Sequence, residues 1–170
     1  NSEALNKRYI SKKHPHRWYS TIDKVDSGLL RRPKILVPDM KREGKFSIDR
    51  GEFYPHHNIY YITHNHNNQK LLQLLSALLQ SRFVFNQMKE ISVLMRGGYV
   101  RWQSQNLRKV RIPDILKMSE VQQSNIISLW QEEKYDLMNK EIEEFLSIEC
   151  ESHSVYIQKE KSEKFQFQSQ

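Results

Sequence analysis

The chain has 170 residues, of which 38% are hydrophobic and 28% charged, so its length fits one domain with an appendage and argues against a two-domain enzyme. Its aromatic residues (Phe 7, Trp 3, Tyr 8) are too many for a disordered chain, and its five glycines form neither a GxGxxG nor a GxxxxGK[ST] spacing, which excludes a phosphate-cradling nucleotide loop. The charge is segregated: residues 1 to 113 carry 21 Lys plus Arg against 8 Asp plus Glu, a net +13, and the remainder carries 6 against 12, a net −6.

Residues 1 to 33 are polar and often basic, with Trp18 and Tyr19 set among the bases and no clear helical or strand period, and they read as loop with short ordered pieces. Lys34-Ile-Leu-Val-Pro38 and Ile59-Tyr-Tyr-Ile-Thr63 are short runs of strand-forming residues. Between them Phe46 and Ile48 alternate with polar neighbours, and Asp49-Arg50-Gly51-Glu52 supplies turn chemistry, so a three-stranded meander or hairpin is expected. Asn65 to Asn68 form a polar break that can cap a helix starting just after it. From Gln69 to about Lys89, Leu71, Leu74, Leu75, Leu78 and Leu79 form one stripe and Gln73, Ser76 and Gln80 the opposite one, which predicts a single amphipathic helix.

After the Gly97-Gly98 turn, the run Tyr99 to Gln103 puts Tyr99, Arg101 and Gln103 on one face and Val100 and Trp102 on the other. Ser119 with Gln122 three residues on is a capping box for a helix to about Trp130, and Tyr135, Met138, Ile142 and Phe145 mark a second helix. The prediction is an α+β fold: a small antiparallel or mixed sheet packed on a central amphipathic helix, with a C-terminal helical hairpin. It divides into a basic body (1–113), a helical segment packing on it (114–148) and a polar, partly ordered tail (149–170).

So basic a body points to a polyanion, and nucleic acid is the first candidate, because neutralising phosphates releases counterions; solubilising lysines with a protein partner or none are the plainer reading. Six of the seven histidines are paired in sequence (His14 and His16, His56 and His57, His64 and His66) without a recognisable ligand spacing, and polar loop histidines near phosphates fit them better than a metal site. The run Pro38-Asp39 to Glu43 imitates part of a nuclease carboxylate–lysine arrangement but lacks its D/ExK order. The most informative stretch is Met95-Arg-Gly-Gly-Tyr-Val-Arg-Trp102: two glycines permit a tight turn and close backbone approach, two arginines suit phosphate or guanine, and Tyr99 can stack or hydrogen-bond. A glycine turn before a core strand is also compatible, and Trp102 reads as a core residue before a contact. The single Cys150 excludes an internal disulfide and fits a reducing compartment. With no run near the roughly 18 apolar residues of a membrane span and no signal-peptide core, the chain reads as soluble and cytoplasmic. A start at Asn1 suggests a piece of a longer chain or a processed N-terminus.

The ordered blocks Lys34 to Asp39, Phe46-Ser-Ile-Asp49, Phe53-Tyr-Pro55, Ile59 to Ile62, Leu71 to Ser81, Arg96-Gly-Gly-Tyr99 and Val110-Arg-Ile-Pro113 resemble the C-terminal specificity domain of adenine-specific DNA methyltransferases of the TaqI type, a domain also found in fused restriction-modification enzymes. The resemblance covers roughly residues 17 to 145. The family's (N/D)PP(Y/F) motif is missing, since the chain has no Pro-Pro pair. The resemblance therefore implies a target recognition domain without its own chemistry or cofactor, with S-adenosylmethionine held by a catalytic domain in the same or a partner chain, and double-stranded DNA bound between them. Carried onto this sequence, the DNA-contact candidates are Arg17, Trp18, Tyr19, Arg31, Arg32 and Lys34, and then Arg96, Gly97, Gly98, Tyr99 and Arg101; no catalytic or metal-binding residue is assigned. The competing readings are a specificity-subunit half that docks a separate methylase, and a small metal-dependent nuclease using the histidines with Asp39 or Asp49.

Overall fold

A computed structural model describes residues 7–17, 26–42, 45–55, 58–152 and 165–168. The basic N-terminal stretch contains α1 (Tyr9–Lys13), a 3-10 turn (Pro15–Arg17) and α2 (Ser27–Leu30), whose first turn is capped by the Asp26 carboxylate accepting from Gly28 N at 2.9 Å.

The main sheet is antiparallel. Strand β1 (Lys34–Pro38) pairs with β3 (Ser47–Asp49) on one side and with β4 (Ile59–His64) on the other, with Ile35 opposite both Ile48 and Ile62. β1 thus lies between its neighbours, and the strands do not run in the order of a meander. The reason is burial: Ile35 and Val37 are fully buried and Leu36 half-buried on the other face, whereas β3 is short and begins with exposed Ser47, which suits an edge. Between β1 and β3 the chain leaves to form β2 (Met40–Lys41) in a second sheet. The outer edge of β4 is covered by β7 (Phe165–Gln168), which lies within the stretch expected as a polar tail and gives the order β3-β1-β4-β7.

The helix expected over 69 to 89 is two. Helix α3 (Gln69–Leu79) begins at Asn68, whose side chain accepts from Leu71 N, and α4 (Arg82–Ile91) begins at Ser81. The Ser81 hydroxyl donates to Leu78 O at 2.6 Å and accepts from Val84 N at 3.3 Å, closing one helix and opening the next. Burial on α3 also extends beyond one stripe to Leu72, Ala77 and Ser76, because the sheet lies against one side and α5 (Glu120–Gln131) against the other. The box at Ser119 and Gln122 forms as expected, with Gln122 N donating to Ser119 Oγ and Gln122 Oε1 accepting from Ser119 N. Helix α6 (Tyr135–Ser152) packs back on α5.

Two cores result. Ile35, Val37, Ile62, Leu72, Leu75, Leu79, Val84 and Trp102 belong to one, and Leu74, Ala77, Leu78, Ile126, Met138 and Ile142 to the other. The architecture is the expected α+β arrangement of sheet, central helix and C-terminal helical hairpin. Among the described residues no helix is long and apolar enough to cross a membrane.

Candidate nucleic-acid interface

The second sheet presents the most distinctive surface of the chain. Its order is β2, β6 (Tyr99–Arg101), β5 (Leu94–Met95), all antiparallel. Between β5 and β6 the chain reverses over Arg96-Gly97-Gly98, with Gly98 N donating to Met95 O at 3.1 Å. Gly97 and Gly98 have φ of 88° and 78°, a region costly for residues with a Cβ, so the two glycines make the reversal possible.

Alternation along β6 divides what anchors the hairpin from what it displays. Val100 is fully buried, and so is Trp102 just beyond the strand, its ring edge-on to Phe46 at 4.9 Å and stacked on Phe85 at 6.4 Å. Trp102 N donates to Asp39 O at 2.7 Å. Ser92 Oγ accepts from Arg101 N and lies within bonding distance of Arg101 O, both at 3.1 Å, and Asn106 Nδ2 donates to that same carbonyl. The outward face carries Tyr99 and Arg101, with Met95 directly opposite the first and Met40 directly opposite the second. Met40, Met95 and Tyr99 are 53%, 40% and 44% exposed.

The expected contact residues divide accordingly. Arg96, Gly97, Gly98 and Tyr99 are exposed together at the hairpin tip, beside exposed Arg42, whose Nε lies 4.0 Å from where a Gly98 Cβ would stand. Arg101 shares the face, but its guanidinium is paired with the Asp39 carboxylate, whose hydrogen bond and then charge raise the Arg101 pKa above its ordinary value. Arg31 is exposed, and half-buried Arg32 reaches His64 O at 3.5 Å; both precede β1 at the end remote from β2, about 17 Å away for five residues of strand. Arg17 ends the 3-10 turn, its side chain lying outside the described residues, as do Trp18 and Tyr19 entirely.

Lys34 is a correction. Its side chain is 0% exposed and ion-paired with Asp49, and Nζ also donates to Leu29 O and Arg32 O at 3.1 Å each, so its charge serves the interior instead of an external ligand. Asp49 Oδ1 accepts from Glu52 N and Phe53 N. Burial alone would raise the Asp49 pKa, but the Lys34 hydrogen bond, the backbone donors and the Lys34 charge outweigh it and the pKa is lowered. Both carboxylates invoked for a nuclease, Asp39 and Asp49, are thus engaged by the chain's own cations. His64 is buried, its Nδ1 accepting from His66 N and Asn68 N in the turn that leads into α3, which is a structural role for a histidine expected near phosphate. Among the described residues, no three His, Cys, Asp or Glu side chains gather as metal ligands.

Reading the sequence did not single out Met40 or Arg42 for this face. Met40, Lys41 and Arg42 fell within the Pro38 to Glu43 run that only loosely imitated a nuclease arrangement, and the pairing of Met40 and Lys41 with β6 is non-local. Met95 stood in the informative block, and stepping the alternation of β6 back across the hairpin would have put it beside Tyr99.

No family model matches the chain. It is similar to three curated proteins: 40% identical over 109 residues to the type II methyltransferase M.XhoI of Xanthomonas vasicola, 37% over 125 residues to M.BstVI of Geobacillus stearothermophilus, and 42% over 111 residues to M.PaeR7I of Pseudomonas aeruginosa. The matches take in 64%, 74% and 65% of this chain but only 19%, 22% and 19% of those proteins. The chain is therefore homologous to one segment, about a fifth of the length, of type II methyltransferases.

Proposed function

We propose that the chain is the double-stranded DNA recognition domain of an adenine-specific DNA methyltransferase of the TaqI type, alone or fused to an endonuclease, and that it is non-catalytic by itself. The observation that carries this reading is the hairpin tip, where Arg96, the two glycines and Tyr99 stand exposed beside Arg42 on a platform anchored through Val100 and Trp102. Cationic side chains hold phosphates and fix register, and a side chain on the adjoining face can reach base edges. Similarity to type II methyltransferases supports the same reading.

S-adenosylmethionine and methyl transfer belong, in this proposal, to a catalytic domain outside the chain. In support, the described glycines with left-handed backbone, Gly51, Gly97 and Gly98, serve turns between strands, not a turn from strand into helix. Residues 1–113 would make the DNA contacts, and residues 114–148 would brace them from behind α3.

Duplex binding by the 170-residue chain tests the reading. If about six phosphates are neutralised, log K falls against log salt with a slope of about −5. Salt-independent binding, or none at roughly 50 mM salt, overturns it.

A further inference from the structure

The outward face of the second sheet is unlike a phosphate-binding surface. Met95 and Tyr99 lie on it directly opposite each other, Met40 follows one step along opposite Arg101, Val93 at its edge is 74% exposed, and the Arg101 guanidinium is turned to Asp39. The exposed cations, Arg42 and Arg96, are at the tip. Past the last pair with β2, Lys41 with Val100, the sheet continues only as the β5–β6 pair Met95 and Tyr99, and a two-stranded ribbon fits the width of the B-DNA major groove, where the only apolar feature that a base pair displays is the 5-methyl group of thymine. The absence of side chains at Gly97 and Gly98 keeps the leading end slender.

We propose, resting on the DNA-recognition reading above, that this hairpin enters the major groove with Arg42 and Arg96 against the phosphates, and that the Met95–Tyr99 face reads a thymine methyl. The charge of the tip favours DNA as the occupant of the apolar face. The hairpin thereby selects an A·T pair at the position beneath it, through apolar contact instead of a hydrogen bond.

The test uses the 170-residue chain to select duplexes from a pool with a randomised centre. The strongest binder is then remade with each thymidine replaced in turn by deoxyuridine, which lacks only the methyl group. The expected result is about a fourfold loss of affinity at one position, the transfer free energy of one buried carbon group. Met95→Ala and Tyr99→Ala bring that thymidine-to-deoxyuridine ratio to one; Arg96→Ala weakens both duplexes alike and keeps the ratio. Melting curves verify that each variant is folded. A ratio of one at every thymine in the unaltered chain, an enriched duplex without thymine, or a ratio that persists in folded Met95→Ala and Tyr99→Ala overturns the proposal and leaves the apolar face to a protein partner. Failure to enrich any duplex overturns the underlying DNA reading.

Discussion

Lys34 and Asp49 are a lysine and an aspartate removed from water together, with side chains 0% and 2% exposed. Taking away one partner strands the other charge in the interior, at a cost of about 3–5 kcal/mol, whereas removing both charges is far less harmful. Lys34→Met should therefore lower unfolding stability by about that amount in urea titrations. Lys34→Met/Asp49→Asn should recover most of the loss, because the asparagine oxygen can still accept from Glu52 N and Phe53 N. The pair also fixes the acid limb of stability. With its folded pKa lowered from 3.8, Asp49 contributes fully above that value and loses its contribution as pH falls through the lower folded one; the urea midpoint of the native chain should drop there, and less so in the double variant. None of this was legible from the residue types. A lysine among other bases looks like a surface cation, and only the β1–β3 register, with Lys34 opposite Asp49, assigns it to the interior.

Elements set by neighbours in sequence were readable, and those set by distant ones were not. The Ser119–Gln122 box and the helices that begin at Glu120 and Tyr135 depend on local spacing, and they form as expected. The helix break at Gln80-Ser81 escaped because leucines continue up to it, although Ser81 is a good cap. Strand β2 has two residues and no period to detect, so the second sheet was visible only as the hairpin half. The turn from β3 toward β4 offers an element-scale test. A Cβ on Gly51, where φ is 105°, would stand 2.7 Å from Arg31 O. Gly51→Ala should destabilise the chain by more than about 1 kcal/mol, measured by urea unfolding, since both the backbone angle and the close approach oppose it. Gly98→Ala shares the strained angle but would meet only the Arg42 side chain, at an ordinary contact distance of 4.0 Å, and should cost less.

At the scale of the molecule, α3 lines both cores at once: Leu72, Leu75 and Leu79 face one, Leu74, Ala77 and Leu78 the other. Neither core keeps its wall if the other melts. Urea unfolding should therefore be one transition, with coincident midpoints from far-ultraviolet circular dichroism and from the fluorescence of Trp102 alone in a Trp18→Phe/Trp130→Phe chain. Two separated midpoints would contradict this. The segregation of charge was plain from counting residues, but its spatial meaning was not, because the order of layers comes from tertiary packing. The sheet side carries Arg31, Arg42, Arg50 and Arg96 exposed, and the helical hairpin beyond α3 carries Glu120, Glu133, Asp136, Glu143 and Glu144 exposed. Sheet, α3 and helical hairpin stacked in that sequence make the whole domain an electric dipole. In the field of a polyanion such a body experiences a torque before it makes any contact, so rotational diffusion is biased toward basic-side-first encounters and fewer collisions are wasted.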